Sequence, residues 1–147
     1  MSVIRITKEF RFEGAHALIG YDGKCKHIHG HSYILYVTLI GSPSEDITSP
    51  KYGMLMDFSV LKKIVGENII DKFDHAFILR EGSPLLENFS NEYGNVITVP
   101  FQPTCENLIS YFAEKIQNSL PKEVSLFSLK LHETATSFAE WYASDNI

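Results

Sequence analysis

The chain has 147 residues, of which 44% are hydrophobic, and a formal net charge of −5 at pH 7. This length predicts a single domain, residues 1–147, that can bury a core of its own. The negative charge argues against general affinity for nucleic acid or anionic membranes. We expect no membrane span or signal peptide, because no apolar run reaches about 18 residues and the N-terminus is not signal-like. Two cysteines are too few for a disulfide scaffold, which favours a reducing, cytoplasmic location.

The first elements are two predicted strands. Apolar residues alternate over 3–16, which indicates a strand whose core-facing side ends at His16. A glycine-containing loop leads to a second strand rich in β-branched and aromatic residues, and His29 and His31 begin its apolar face. Both strands therefore carry histidine on a core-facing stripe, and we expect them to pair side by side.

The rest of the chain predicts two helices and three more strands. Asp57 or Ser59 can cap the first helix, which has an apolar stripe at helical spacing. The order ββ-α-(β)-α-ββ predicts an α+β fold with an antiparallel sheet and two helices packed on one face. The remaining predicted segments are a long loop at 80–95, a short strand at 96–99, a helix opening at Pro103-Thr104, and strands at about 124–133 and 137–143.

Three histidines are spaced for metal binding. His29 and His31 lie two residues apart on a strand, so their side chains point to the same face. His16, at the end of the neighbouring strand, can supply a third imidazole. Three neutral imidazoles with an open fourth position are typical of catalytic zinc sites, and we prefer this interpretation to three structural histidines. A closed site with Cys25 as the fourth ligand is the alternative, and it requires a sharp turn between Cys25 and His31.

Cys25 is a candidate general base. Lys24, Lys26 and His27 surround it, and neighbours of this kind favour the thiolate form of a cysteine. A thiolate beside a metal ion can remove a proton from a substrate. The alternative is an inert loop thiol. Cys105 lacks such neighbours, and we expect it to be structural.

Asp74 and His75 form a candidate proton relay. A carboxylate that orients an imidazole is a common relay component. Surface Asp-His pairs without a catalytic role are also frequent, so only a spatial link to Cys25 would make this pair catalytic.

Glu133 is a candidate ligand anchor. It shares a predicted strand face with Phe127, Leu129 and Leu131, and a carboxylate at the end of an apolar face needs a partner. An ion pair or a strand end in solvent would satisfy it. A guanidine-like edge, such as that of a pterin or guanine, would satisfy it through two parallel N–H bonds.

Six segments together resemble the 6-pyruvoyl-tetrahydropterin synthase / 6-carboxytetrahydropterin synthase family. Each is modest alone, but their order along most of the chain is specific. Only three residues separate Cys25 from His29, which is similar to the bacterial carboxy-forming enzymes of queuosine-precursor synthesis and favours that branch. The segments are FEGAH at 12–16, CKHIHGH at 25–31, GMLMDF at 53–58, FDH at 73–75, PTCEN at 103–107 and LHET at 131–134.

The resemblance implies a lyase with a Zn²⁺ cofactor and a pterin triphosphate substrate, 7,8-dihydroneopterin triphosphate. The carboxy-forming branch releases triphosphate and acetaldehyde. The implied site residues are His16, His29 and His31 for zinc, Cys25 as the base with Asp74 and His75 as its relay, Glu133 as the catalytic pterin anchor, and Thr104 and Glu106 lining the ring pocket.

The resemblance also implies the tunnelling fold, in which the sheets of several subunits join into a barrel around a central pore. We therefore expect a homo-oligomer built from trimers, a hexamer, with active sites between subunits. Three alternatives remain: a 6-pyruvoyl-tetrahydropterin synthase, a cyclohydrolase-like enzyme that uses zinc-activated water, and a pterin-binding module without turnover. Cys105 and the long 80–95 loop depart from the family pattern.

Overall fold

The computed structural model describes residues 2–89 and 94–147, with the exception of the side chain of Cys25. The strands within these residues form one sheet. Their bounds are β1 Ile4–His16, β2 His29–Gly41, β3 Ala76–Arg80, β4 Asn95–Val99, β5 Ser125–His132 and β6 Phe138–Tyr142. The order across the sheet is β4-β3-β1-β2-β5-β6.

Two helical segments cover one face of this sheet. Along the described residues, no helix combines the length and the apolar character needed to cross a membrane. The helices are α1 Phe58–Val65, α2 Asp71–Phe73 and α3 Cys105–Gln117, and a π-helical turn, Gly66–Ile70, joins α1 to α2.

Side-chain caps set where the two long helices begin. The Asp57 carboxylate accepts a hydrogen bond from the Ser59 N–H at 2.8 Å, so Asp57 is the cap of α1. The Thr104 hydroxyl accepts one from the Asn107 N–H at 3.2 Å at the start of α3. Each cap satisfies a backbone donor that has no partner within the helix. Both predicted helix starts are therefore confirmed.

Aromatic rings join the sheet to the helices in a single core. Phe12 of β1 stacks on Tyr33 of β2, with ring centroids 4.7 Å apart. Phe12 also meets Phe112 of α3 edge-on at 5.9 Å, and Phe112 meets Phe73 of α2 at 5.2 Å. These rings belong to one buried cluster that includes residues of both helical segments. The predicted α+β fold with helices on one face is confirmed.

The sheet is mixed rather than wholly antiparallel. β1, β2, β5 and β6 are antiparallel neighbours, as predicted, whereas β3 lies parallel to β1 and β4 lies parallel to β3. β3 is missing from the predicted elements because its five residues are too few to show an alternating pattern, and Ile78 and Leu79 are both buried. The predicted loop at 80–95 contains a 3-10 turn, Pro84–Asn88, and its residues 90–93 lie outside the described part of the chain.

A bulge in β5 changes which residues face the core. The pairing of β2 with β5 shifts between Thr38 and Leu39, so that Leu126, rather than Phe127, is buried. Phe127 instead lies 3.8 Å beneath the Arg5 guanidinium. The prediction that Phe127 shares the core face with Leu129 is wrong, because an extra residue in a strand reverses the alternation on one side of it.

We expect Phe112→Ala to lower the free energy of unfolding by about 3–5 kcal/mol, because it leaves a cavity between sheet and helices. Denaturant unfolding followed by circular dichroism measures this. Phe58→Ala is the matched control, since that ring is 48% exposed, and it should have a much smaller effect. Equal losses in the two variants would contradict the proposed position of the core.

Candidate active site

The three predicted metal histidines meet where β1 ends and β2 begins. His16 and His29 are directly paired across the two strands, and His31 lies opposite Gly14. The ring centroids are 4.5 Å apart for His16 and His29, 5.1 Å for His16 and His31, and 4.8 Å for His29 and His31. One ring nitrogen from each histidine lies within 4.8 Å of the others, which is close enough for all three to bind one ion.

Backbone carbonyls fix the orientation of two of these rings. The Nδ1 atoms of His16 and His29 each lie 2.7 Å from a carbonyl oxygen, of Pro103 and His27 respectively. A carbonyl only accepts, so each Nδ1 carries the proton and each Nε2 keeps a lone pair. These two Nε2 atoms are 2.9 Å apart. Two lone pairs this close repel each other unless a proton or a metal cation lies between them.

The third imidazole has a nitrogen without a partner. His31 Nε2 is buried and has no hydrogen bond to any described residue. The Glu133 Oε1 atom lies 3.5 Å from it and 3.5 Å from His16 Nε2, distances that allow electrostatic attraction. Buried polar atoms are almost always satisfied, so an orphaned nitrogen in a histidine cluster fits a metal ligand. The donor set of three imidazole nitrogens fits a zinc ion.

Burial favours the neutral form of His16 and His31. Loss of solvation lowers the pKa of His16 to about 4, and the neighbouring imidazoles add to this while the Pro103 carbonyl opposes it. Burial, and to a lesser extent His29, also lowers the pKa of His31. Neutral imidazole is the form that binds metals. Tyr33 lies below the cluster with its hydroxyl 3.5 Å from His16 Nδ1, and burial raises its pKa, so it remains a neutral phenol.

A cavity of about 230 Å³ opens beside the histidine cluster. Glu133 reaches it from the turn between β5 and β6, where its N–H donates to the Ser137 carbonyl at 3.1 Å. Thr104 and Glu106 reach it from the start of α3. The predicted anchor and the predicted ring-pocket residues are thus brought together next to His16. The other lining residues are Leu18, Tyr21, Gln102 and Cys105.

Burial raises the pKa of the Glu133 carboxyl, the Glu106 charge adds to this, and His29 opposes it. A half-buried carboxylate of this kind is stabilised by a ligand that donates hydrogen bonds to it. Cys105, whose thiol donates to the Leu131 carbonyl at 3.4 Å, is also buried, which raises its pKa to about 11. The thiol therefore stays protonated, in agreement with its predicted structural role.

Asp74 and His75 are held together but lie apart from this cavity. The Asp74 carboxylate accepts from the Glu13 N–H at 2.9 Å and lies 3.0 Å from His75 Nδ1. The Glu13 N–H, and then His75, lower the pKa of Asp74. His75 has a left-handed backbone, with φ of 61°, and its N–H donates to the Glu13 carbonyl at 2.6 Å. Its side chain is 79% exposed and lines a second cavity of about 450 Å³ together with His31.

Cys25 lies in a 3-10 turn, Lys24–Lys26, where the His27 N–H donates to the Lys24 carbonyl at 3.1 Å. The backbone therefore turns at Cys25, whereas the glycine signals of the sequence place the turns before it. The side chain of Cys25 lies outside the described part of the structure. Its role as a base and the closed-site alternative both stay predictions.

Some contributors to the site are missing from the sequence prediction. The carbonyls of Pro103 and His27 orient two of the candidate metal-binding histidines, and backbone groups leave no pattern in a sequence. Tyr33 continues the face of His29 and His31, and this alternation could have identified it. No comparable sequence pattern identifies Gln102 as a site residue.

A sequence profile for 6-pyruvoyl tetrahydropterin synthase matches residues 5–144. The chain belongs to this family. A relative from Haemophilus influenzae, named 6-carboxy-5,6,7,8-tetrahydropterin synthase, is 37% identical over 146 residues, which cover 95% of this chain and 99% of the relative. A protein of the same name from Aquifex aeolicus is 33% identical over 161 residues, which cover 92% of this chain and 96% of that one.

Solved structures of the family share the fold. The 6-pyruvoyl tetrahydropterin synthase of Caenorhabditis elegans is 24% identical, with a TM-score of 0.70 over 97% of each chain. That of Plasmodium vivax is 20% identical, with a TM-score of 0.72 over 96% of this chain and 98% of the other. The tunnelling-fold prediction for the subunit is confirmed.

Metal-free protein should lose stability as the pH falls from about 6.5 to about 4. In the unfolded chain His16 has its ordinary pKa of 6.5, whereas burial lowers the folded value to about 4. Between these values the unfolded state binds a proton that the folded state does not, so acid favours unfolding, and above pH 6.5 the effect is absent. The shift corresponds to roughly 3 kcal/mol.

Urea unfolding of chelator-treated protein at pH 7.5 and pH 4.5 measures this dependence. His16→Gln should reduce it, and His31, whose pKa burial also lowers, should account for a remaining slope. His132→Gln, a change on the opposite face of the sheet, serves as the control and should leave the slope unchanged. A slope as steep in His16→Gln as in the wild type would assign the effect to other groups.

Proposed function

We propose that this protein is a zinc-dependent lyase that converts 7,8-dihydroneopterin triphosphate to 6-carboxy-5,6,7,8-tetrahydropterin, with loss of triphosphate and acetaldehyde. The observation that carries the proposal is the position of Glu133, whose carboxylate lies 3.5 Å from His16 and from His31 at the edge of a small cavity. The candidate metal ligands and the proposed acceptor for a pterin edge are thus adjacent. Relatives with this activity name cover nearly the whole chain.

A 6-pyruvoyl-tetrahydropterin synthase is the second candidate, since solved structures of that name share the fold. The three-residue spacing between Cys25 and His29 favours the carboxy-forming branch.

The Nε2 atoms of His16, His29 and His31 would hold the zinc ion. When bound, zinc supplies Lewis-acid polarisation of the side-chain hydroxyls of the substrate. The chain contributes the orientation of the ligands, because the carbonyls of Pro103 and His27 accept from Nδ1 and direct Nε2 toward the ion.

Glu133 would anchor the pterin by accepting two N–H bonds from its amino-pyrimidine edge. Thr104 and Glu106 line the same cavity and would contact the ring. The cavity, about 230 Å³, is smaller than the roughly 300–1,000 Å³ of pockets that enclose drug-sized ligands. It therefore suits the bicyclic ring, and the triphosphate would lie outside it. Lys24, Lys26 and His27 are the nearest basic residues along the chain for that group.

Cys25 would remove a proton from a carbon of the substrate side chain, and His75, oriented by Asp74, would pass protons onward. His75 is exposed and lines a different cavity from Glu133, which supports an active site completed by a second subunit. β4 and β6 are the edges of the sheet and are available for pairing between subunits. We therefore retain the trimer-based hexamer as part of the proposal.

Incubation of the zinc-loaded protein with 7,8-dihydroneopterin triphosphate, followed by mass spectrometry, tests the proposal. Carboxytetrahydropterin and acetaldehyde are the expected products. A pyruvoyl product would select the second candidate, and release of formate from GTP in a parallel incubation would indicate a cyclohydrolase. Pterin binding without any product would indicate a binding module.

Glu133→Gln should weaken pterin binding by about 1.5–3 kcal/mol, because it replaces one acceptor oxygen of a charged hydrogen-bonded pair with a donor. Calorimetric titration with neopterin measures the affinity. Glu123→Gln is the matched control, since Glu123 lies away from this cavity, and it should bind as wild type does. An unchanged affinity in Glu133→Gln would make Glu133 a structural residue.

Cys25→Ala should keep zinc and pterin binding and lose turnover by at least ~10²–10⁴-fold, the effect of removing a general base. Metal analysis and the product assay on the same preparation separate the two roles. Loss of zinc in parallel with activity would support the closed site. Near-normal turnover with zinc retained would leave His75 as the base.

A further inference from the structure

We propose that the loop at residues 17–24 is a fixed wall of the pterin cavity, in which Tyr21 stacks on the pterin ring and Gln102 holds the loop in place. The proposal rests on the proposed function, because it requires that a flat heterocycle binds beside Glu133. It assigns a ring contact and a positioning residue that the family resemblance does not supply.

Gln102 is bonded twice to a single loop residue. Its Nε2 donates to the Ile19 carbonyl at 2.7 Å, and its Oε1 accepts from the Ile19 N–H at 3.2 Å. The side-chain amide thus bonds to both the N–H and the carbonyl of Ile19, as the backbone of a neighbouring strand would. The loop cannot leave this position without breaking two hydrogen bonds, both of which are partly buried.

The backbone of Gln102 is itself held at the start of α3. Its carbonyl accepts from the Thr104 N–H at 2.8 Å and from the Asn107 side-chain amide at 3.0 Å. The next residue, Pro103, accepts from His16 Nδ1. The short segment before α3 is therefore hydrogen-bonded both to the end of β1 and to the loop that follows it. These bonds connect the loop, His16 and Thr104 into one unit.

Tyr21 is the part of this loop that offers a flat apolar surface to the cavity. Tyr21 lines the cavity together with Glu133 and Thr104. The ring packs against Gly23, where an added Cβ would lie only 2.6 Å from Tyr21 Cε1. Tyr21 as a residue is nevertheless 47% exposed, so packing within the chain leaves much of its surface free. A supported and half-exposed ring at a cavity is suited to stack on a planar ligand.

Tyr21 and Glu133 would recognise different properties of the ligand. Stacking selects for a flat ring and tolerates any planar heterocycle, because every such ring has a π face. Hydrogen bonds to the Glu133 carboxylate select for the amino-pyrimidine edge. Removal of one contact should therefore leave the selectivity that the other provides.

Calorimetric titration with neopterin, a pterin without the triphosphate, tests the ring contact. We expect Tyr21→Ala to raise Kd about tenfold or more, as for the loss of one aromatic stacking partner, and Tyr21→Phe to bind nearly as wild type. Tyr52→Ala is the control, because that ring is 58% exposed and lies outside the cavity. In turnover assays Tyr21→Ala should raise KM more than it lowers kcat.

An unchanged Kd in folded Tyr21→Ala, with wild type binding neopterin and Glu133→Gln weakened, would overturn this inference and leave the proposed function intact. Failure of the wild type to bind neopterin would instead overturn the proposed function and this inference with it.

Limited trypsin digestion tests the positioning role of Gln102. Gln102→Ala should speed cleavage after Lys24 and Lys26 and weaken neopterin binding, because the loop loses both hydrogen bonds to the short segment before α3. Gln102→Glu keeps the acceptor and loses the donor, and it should give an intermediate effect. Zinc content should remain stoichiometric, since His16 is held by a backbone carbonyl. Digestion and affinity equal to wild type in Gln102→Ala would overturn the positioning role.

Discussion

The site depends on one cross-strand pair, His16 of β1 and His29 of β2. Their Nε2 atoms are 2.9 Å apart, while both Nδ1 protons are committed to carbonyl oxygens. This arrangement is unfavourable in the protein alone, because lone pairs face each other and His16 is almost fully buried. It becomes favourable when a cation binds. The pairing depends on the strand register, since a slip of one residue in either strand would turn that strand's histidine to the other face of the sheet.

The sequence predicted this pair because β1 and β2 are 13 residues long each and alternate throughout. This alternation repeats along each strand, so it predicts that the side chains of His16, His29 and His31 point to the core face of the sheet. β3 and the parallel pairing of β3 with β1 depend on contacts distant in sequence, and the five residues of β3, three of them buried, show no alternating pattern. The bulge at Phe127 is likewise set by pairing with β2, which no local pattern reveals.

The cavity beside Glu133 was only partly predictable for a related reason. The family motifs named Glu133, Thr104 and Glu106, and the structure brings all three to one cavity. The groups that position them are backbone carbonyls and one amide side chain, Gln102. A carbonyl oxygen is present at every residue, so its use by His16 can be recognised only once the chain is folded.

The histidine cluster lies between two cavities that are lined by different ionisable residues. His16 lines the smaller cavity with Glu133, and His31 lines the larger one with His75. The left-handed backbone of His75 is costly for a residue with a side chain, and such conformations persist where surrounding contacts impose them. Here Glu13 imposes it through both of its backbone groups, so the imidazole is held out into solvent with Asp74 behind it. This oriented and exposed imidazole is the group to which the proposed function assigns proton transfer.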